Sequence, residues 1–170
     1  MKIETAIEGF RIQKAEPGDA PLILDFIKKL ADYEKLSHEV VATEENLERY
    51  LFGPEQVAEV VIGYYHERPV GFALYFYNFS TFLAKPGIYL EDLYVLEEYR
   101  GKGFGKSLLC YLAYLAVEKG CGRLEWAVLD WNEPSIQFYK SLGAEPMDEW
   151  IVNRATGESL RKMAEMFSVK

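Results

Sequence analysis

A chain of 170 residues that is 49% apolar, 15% aromatic and 27% charged is neither disordered nor fibrous, and predicts one soluble globular domain with a real core. At this length a domain buries roughly 70% of the surface its unfolded chain exposes, so no disulfide or structural metal is needed; Cys110 and Cys121, with His38 and His66, match no paired metal-ligand spacing, and no metal is expected. The 19 Lys and Arg against 27 Asp and Glu give a formal net charge of −8, which repels nucleic-acid phosphates where no basic patch overrides it, and none does here; an acidic chain suits a cationic partner such as an amine.

The opening stretch MKIETAIEGF carries Lys2, Glu4 and Glu8 and lacks an apolar signal core, and the longest apolar run, Leu108 to Val117, is too short to span a bilayer. The expected compartment is therefore the cytoplasm, with reduced thiols and no membrane. A first strand is predicted around Phe10 and Ile12. Asp19, after the turn Pro17-Gly18, is placed to cap a helix whose Leu22, Ile23, Phe26, Ile27, Leu30 and Tyr33 recur at helical spacing. A second short helix is predicted from Thr43 to Phe52, before Gly53-Pro54. Val57 to Tyr65 and Val70 to Tyr77, rich in β-branched and aromatic residues and separated by His66-Glu67-Arg68-Pro69, read as a hairpin, with another strand from Ile88 to Val95.

Arg100 to Gly105 then lead into a helix with Leu108, Leu109, Leu112, Leu115 and Ala116 on its apolar face and Gly120 at its end. Leu124 to Leu129 reads as a strand. Asn132 and Pro134 start a further helix that Gly143 stops, Trp150 to Val152 reads as a last strand, and Leu160 to Phe167 as a last helix. The expected fold is a mixed α/β domain, with antiparallel strands first and strand-helix units later.

A strand, a glycine-rich turn and a helix present a row of backbone N–H groups to a phosphate. A dinucleotide-binding fingerprint fails here because Lys106 stands at its third glycine. A P-loop is a near miss: Gly105-Lys106-Ser107 supplies its end, but Arg100 occupies the position of its first glycine. The pattern that fits is R-x-x-G-x-G, met by Arg100, Gly103 and Gly105. With the order of the elements, this segment resembles the pyrophosphate loop of the GNAT superfamily of N-acetyltransferases. Leu30 to Glu34, Gly71 to Phe76, Tyr89 to Asp92, Tyr99 to Gly101, and Asp130 to Ser135 with Phe138-Tyr139-Lys140 are similar to the spermidine/spermine acetyltransferases and their thialysine N-epsilon-acetyltransferase relatives.

That resemblance implies one acetyltransferase domain over residues 1–170, of the GNAT fold with a central mixed, mostly antiparallel sheet flanked by helices. It also implies acetyl-coenzyme A as cosubstrate, a small primary amine as acceptor, and a homodimer. Leu93, Tyr94 and Val95 would hold the pantetheine through their backbone. Arg100, Gly101, Lys102, Gly103, Phe104, Gly105 and Lys106 would form the pyrophosphate loop, with Asn132 and Ser135 beside the cofactor. Acetyl transfer needs a deprotonated amine, a stabilised oxyanion and a proton for the departing thiolate. By resemblance Glu91 accepts the amine proton, directly or through water, and Tyr139 is the general acid, since a phenol near pKa 10 is protonated at neutral pH.

Glu91 and Asp92 are adjacent in an apolar strand, so strict alternation sends them to opposite faces of the sheet. Tyr33, Glu34, Asp92 and Trp126 match the family's amine pocket. Ser80 stands where polyamine-specific members carry an acid, which favours a short substrate such as thialysine, a lysine-like amino acid or a diamine over spermidine and spermine. A polyamine acetyltransferase, and a coenzyme-A-binding sensor with little turnover, remain the alternatives.

Overall fold

The computed structural model describes residues 2–167. It divides into two units, Met1–Leu129 and Asp130–Lys170, each described here by itself. The first unit is built on a six-stranded sheet whose spatial order follows the chain: β1 (Lys2–Glu4), β2 (Phe10–Lys14), β3 (Glu59–Tyr65), β4 (Arg68–Ser80), β5 (Lys85–Val95) and β6 (Leu124–Trp126). Every neighbouring pair is antiparallel except β5–β6, which is parallel and is linked by a crossover through helix α3 (Phe104–Glu118). The sheet is thus mixed and mostly antiparallel, as expected. The short polar β1 carried no readable alternation and was not anticipated.

Helices cover both faces. On one, α1 (Ala20–Tyr33) and α2 (Glu44–Leu51) bury Ile23, Phe26, Leu30 and Leu51 against Val60, Ile62, Phe72 and Tyr94. Phe26 stacks on Phe72 with ring centroids 5.4 Å apart. On the other, the apolar side of α3 buries Phe104, Leu108, Leu109, Leu112 and Ala116, and Phe104 stacks on Phe10 of β2 at 4.2 Å. Gly63 of β3 makes room for this: a Cβ there would stand 2.8 Å from the Phe10 ring. Asp19 does occupy the N-cap position of α1, but its carboxylate accepts from the Glu16 N–H behind it at 2.8 Å and does not cap the helix. Thr43 caps α2 through the Asn46 N–H at 3.2 Å.

In the second unit, Asn132 caps α4 (Glu133–Ser141), accepting from the Ser135 N–H at 3.4 Å, and Gly143 follows with φ of 87°. Trp150 to Val152 form no strand among the described residues, because the Asn153 side-chain amide donates to the Ile151 carbonyl at 3.0 Å and occupies an acceptor that a ladder would need. The last helix, α5, runs Gly157–Glu165, starting earlier than the apolar spacing suggests. A reciprocal cap between Thr156 and Ser159 sets that start.

Candidate active site

The β4–β5 ladder is interrupted at one residue. Leu90 lies opposite Tyr75 and Asp92 opposite Leu74, which leaves Glu91 as an extra residue in β5. A bulge of this kind resets the side-chain parity. Asp92, paired with Leu74 and two residues from core-facing Tyr94, is brought to the α1 face, where Glu34 stands just past the helix end. The inserted residue breaks strict alternation between Leu90 and Asp92 and leaves Glu91 unpaired between them. Burial, then the charges of Glu91 and Glu34, push the Asp92 carboxyl up to about 6. Burial also raises Glu34. Both charges acting on Asp92 are negative, so this corner of the sheet favours an incoming cation.

The same bulge opens the sheet on its other side. β6 pairs with β5 only at Ile88–Leu90 against Leu124–Trp126, and among the described residues β5 from Asp92 to Val95 pairs with β4 alone. This shortens β6, which the sequence predicted to reach Leu129, and leaves the backbone of Leu93, Tyr94 and Val95 along an unpaired edge. An extended ligand carrying amide groups can add to such an edge as a strand does. The Tyr94 side chain points away from it into the core, with its ring 6.4 Å from Phe26. Trp126, at the last β5–β6 pair, ends the closed part of the sheet next to the bulge.

Beyond Val95 the chain makes a short turn over Glu97–Tyr99 and enters the glycine loop. Gly101 and Gly103 take φ of 76° and 84°, the left-handed region, and Gly103 is the N-cap residue of α3. Among the described residues, chain neighbours aside, nothing lies within 4 Å of where a Gly101 Cβ would be, which leaves room for a ligand at this turn. The first intrahelical bond runs from the Ser107 N–H to the Gly103 carbonyl at 2.9 Å; the N–H groups of Phe104, Gly105 and Lys106 precede it, as an anion-binding helix start requires. Phe104 can contribute only its backbone, since its ring is buried against Phe10. Lys102 lies 5.4 Å from the ring centroids of Tyr65 and Tyr99. Arg100 crosses the Tyr33 ring at 4.6 Å.

The structure therefore brings together Glu34, Glu91 and Asp92, with Tyr33, Arg100 and the loop beside the open edge. It does not bring Ser80 to them. Ser80 is buried at the end of β4, its hydroxyl accepting from the Leu83 N–H at 3.3 Å, and it lies six positions from Leu74, about 20 Å along the strand. Tyr139 and Ser135 stand half-buried and Asn132 buried on or beside α4, in the second unit. Sequence spacing had no means of revealing the Glu91 bulge or the Arg100–Tyr33 contact. The only hint was two adjacent acids inside an apolar strand.

An open β edge leads into a left-handed glycine turn and a helix start, with Glu34, Glu91 and Asp92 beside it. Residues 26–144 match the model of the acetyltransferase (GNAT) family, and the chain belongs to that family. It is similar to a thialysine N-epsilon-acetyltransferase of Bos taurus, 39% identical over 164 residues that cover 90% of this chain and 96% of the relative. An L-ornithine N5-acetyltransferase of Arabidopsis thaliana is 33% identical, covering 92% of this chain and 88% of the relative. Among solved structures, an integron cassette protein of V. cholerae superposes with a TM-score of 0.78 at 28% identity, over 92% of this chain and 98% of that one. The protein is an acetyl-transferring enzyme that acts on amines. Among the described residues no helix is long and apolar enough to cross a membrane.

Proposed function

We propose that the enzyme transfers the acetyl group of acetyl-coenzyme A directly to a primary amine of a small molecule, with thialysine, a lysine-like amino acid or a short diamine as the preferred acceptor. The observation that carries this reading is the gathering of Glu34, Glu91 and Asp92 at the interrupted β4–β5 ladder, beside the open β5 edge: their negative charge draws an ammonium group of the acceptor. The activities of the relatives, on thialysine and on ornithine, support an acceptor with one reactive amine and a charged remainder. The family match runs from residue 26 to 144, through both units, and supports reading residues 1–170 as one catalytic domain.

The residues fit the cosubstrate. Backbone groups of Leu93 to Val95 hold the pantetheine arm by strand-like pairing, and the N–H groups from Gly101 to Lys106 face the pyrophosphate. Acetyl-coenzyme A supplies an activated acyl group; everything else is work for side chains. Glu91 takes the proton the amine must lose, directly or through water, and Asp92 and Glu34 hold the remote cation. By the family resemblance Tyr139 would donate its phenolic proton to the thiolate that leaves as the C–S bond breaks, becoming a phenolate that solvent reprotonates, while Glu91 passes the amine's proton on to solvent. Asn132 and Ser135 complete the cofactor's surroundings.

Ser80 enters this reading only through a second copy of the chain. At about 20 Å from the Asp92 position it cannot line the same pocket within one chain, and the arm that carries it exposes Phe79 at 60% and Phe82 at 93%. The proposed homodimer covers this arm, and Ser80, buried within it, can bear on acceptor choice only there. A polyamine acceptor is the second reading, favoured by the acidity of the cluster, and the cytoplasm is the proposed compartment. The test is release of coenzyme A thiol from acetyl-coenzyme A with a panel of amines. Release that requires both protein and amine supports the proposal; acetyl-coenzyme A binding without release for any amine makes the chain a sensor and overturns it.

A further inference from the structure

Arg100 stands between the two halves of the proposed site. Its Nε donates to the Val95 carbonyl at 3.0 Å, which ties it to the end of the open β5 edge. Its guanidinium carbon lies 4.6 Å from the Tyr33 ring centroid and 5.4 Å from that of Tyr94. Tyr33 is the last residue of α1, directly before Glu34, and Tyr94 is anchored in the core through Phe26. Gly101, the next residue, begins the left-handed turn of the phosphate loop. One planar cation thus contacts the acceptor wall, the pantetheine edge and the start of the loop. A guanidinium holds two rings while its Nε donates along a fixed direction, and the planar fork that fixes this geometry is absent from lysine.

Resting on the acetyl-transfer reading above, we propose that Arg100 is a positioning residue that couples the two substrate sites, so that cofactor in its groove tightens binding of the amine. The physical route is shared ordering. A ligand along Leu93 to Val95 fixes the Val95 carbonyl and with it the guanidinium, and the guanidinium holds the Tyr33 ring at the acceptor wall. An amine arriving there no longer has to order that wall. Coupling of this kind is reciprocal, so the amine must tighten the cofactor by the same factor.

Calorimetric titration of thialysine with and without saturating coenzyme A, which lacks an acetyl group and cannot react, reads the coupling directly. In the unaltered protein, coenzyme A is expected to tighten thialysine by about fivefold or more. Arg100→Lys, which keeps the charge but loses the planar fork, and Tyr33→Leu are each expected to reduce that factor to below about twofold, and the double variant to go no further. Tyr33→Phe, which keeps the ring face, is expected to retain it. Arg100 is exposed, so Arg100→Lys leaves the core untouched. Full coupling in Arg100→Lys, or its loss in Tyr33→Phe, overturns the inference. So does a roughly tenfold loss of coenzyme A affinity in Arg100→Lys with coupling intact, which would make Arg100 a direct cofactor contact. An unaltered protein that binds coenzyme A without any change in thialysine affinity refutes the coupling alone; one that binds no coenzyme A refutes the acetyl-transfer reading as well.

Discussion

Replacing Asp92 by asparagine separates the acidic cluster's contribution to binding from its cost to the fold. The carboxyl is pushed up to about 6 by burial first and by Glu91 and Glu34 second. Against an ordinary aspartate value near 3.9, that gap corresponds to up to about 3 kcal/mol, at about 1.4 kcal/mol for each pH unit. The sign follows from the protons bound. Between about pH 4 and 6 the folded protein keeps on Asp92 a proton that the unfolded chain has lost, so this stabilisation is complete below about 4 and is lost as the pH rises through 6. Above that the ionised group costs the fold its full penalty. Asp92→Asn removes the penalty, and the variant is expected to be more stable than the parent at pH 7.5 by about 1–3 kcal/mol, with a flatter stability profile between pH 4 and 6. The same change raises KM for the amine, because the cation loses one of three carboxylates. Urea unfolding at a series of pH values, with amine kinetics on the same samples, measures both effects. A variant that is destabilised by about 1 kcal/mol or more at pH 7.5, or whose pH profile matches the parent's, refutes the assignment of Asp92 as a buried, uncompensated carboxyl.

Other perturbations act on other parts of the site. Gly103→Val forces a β-branched residue to φ of 84° at the N-cap of α3 and is expected to abolish cofactor binding while leaving the sheet folded; calorimetry with acetyl-coenzyme A on the folded variant checks this, and unchanged affinity removes the loop from the site. Tyr139→Phe is expected to lower kcat by about a hundredfold or more with little change in cofactor affinity, and near-parental turnover in steady-state kinetics returns Tyr139 to a packing role. Light scattering is expected to give twice the chain mass, and a value near 19.6 kDa across a concentration series excludes the dimer and with it Ser80 as a specificity residue.

The elements whose residues answer to local rules are legible in the sequence. α1 and α3 follow from helical spacing, Asn132 caps where capping chemistry places it, the helix expected from Thr43 begins there, and Gly103 of the loop pattern adopts the left-handed conformation. What could not be read depends on pairing. Whether β5 carries an extra residue is decided by its register with β4, and that single residue sets the face Asp92 occupies and the point at which β6 parts from β5. The Arg100–Tyr33 stack joins residues far apart in the chain and leaves no trace in periodicity. Trp150 to Val152 misled for the opposite reason: an apolar triplet suits a strand, but a nearby asparagine takes one of its backbone acceptors.

The most direct test of the central claim is the ratio of specificity constants for thialysine and spermidine, measured with acetyl-coenzyme A at one fixed ionic strength, because salt screens the attraction of a polycation to a protein of net charge −8. The proposed preference for a short acceptor predicts a higher kcat/KM for thialysine, and Ser80→Asp is expected to move the ratio toward spermidine by about tenfold or more only in the dimer, since Ser80 lies outside the carboxylate cluster of its own chain. A parent enzyme that prefers spermidine by tenfold would contradict the account and make the polyamine assignment the correct one.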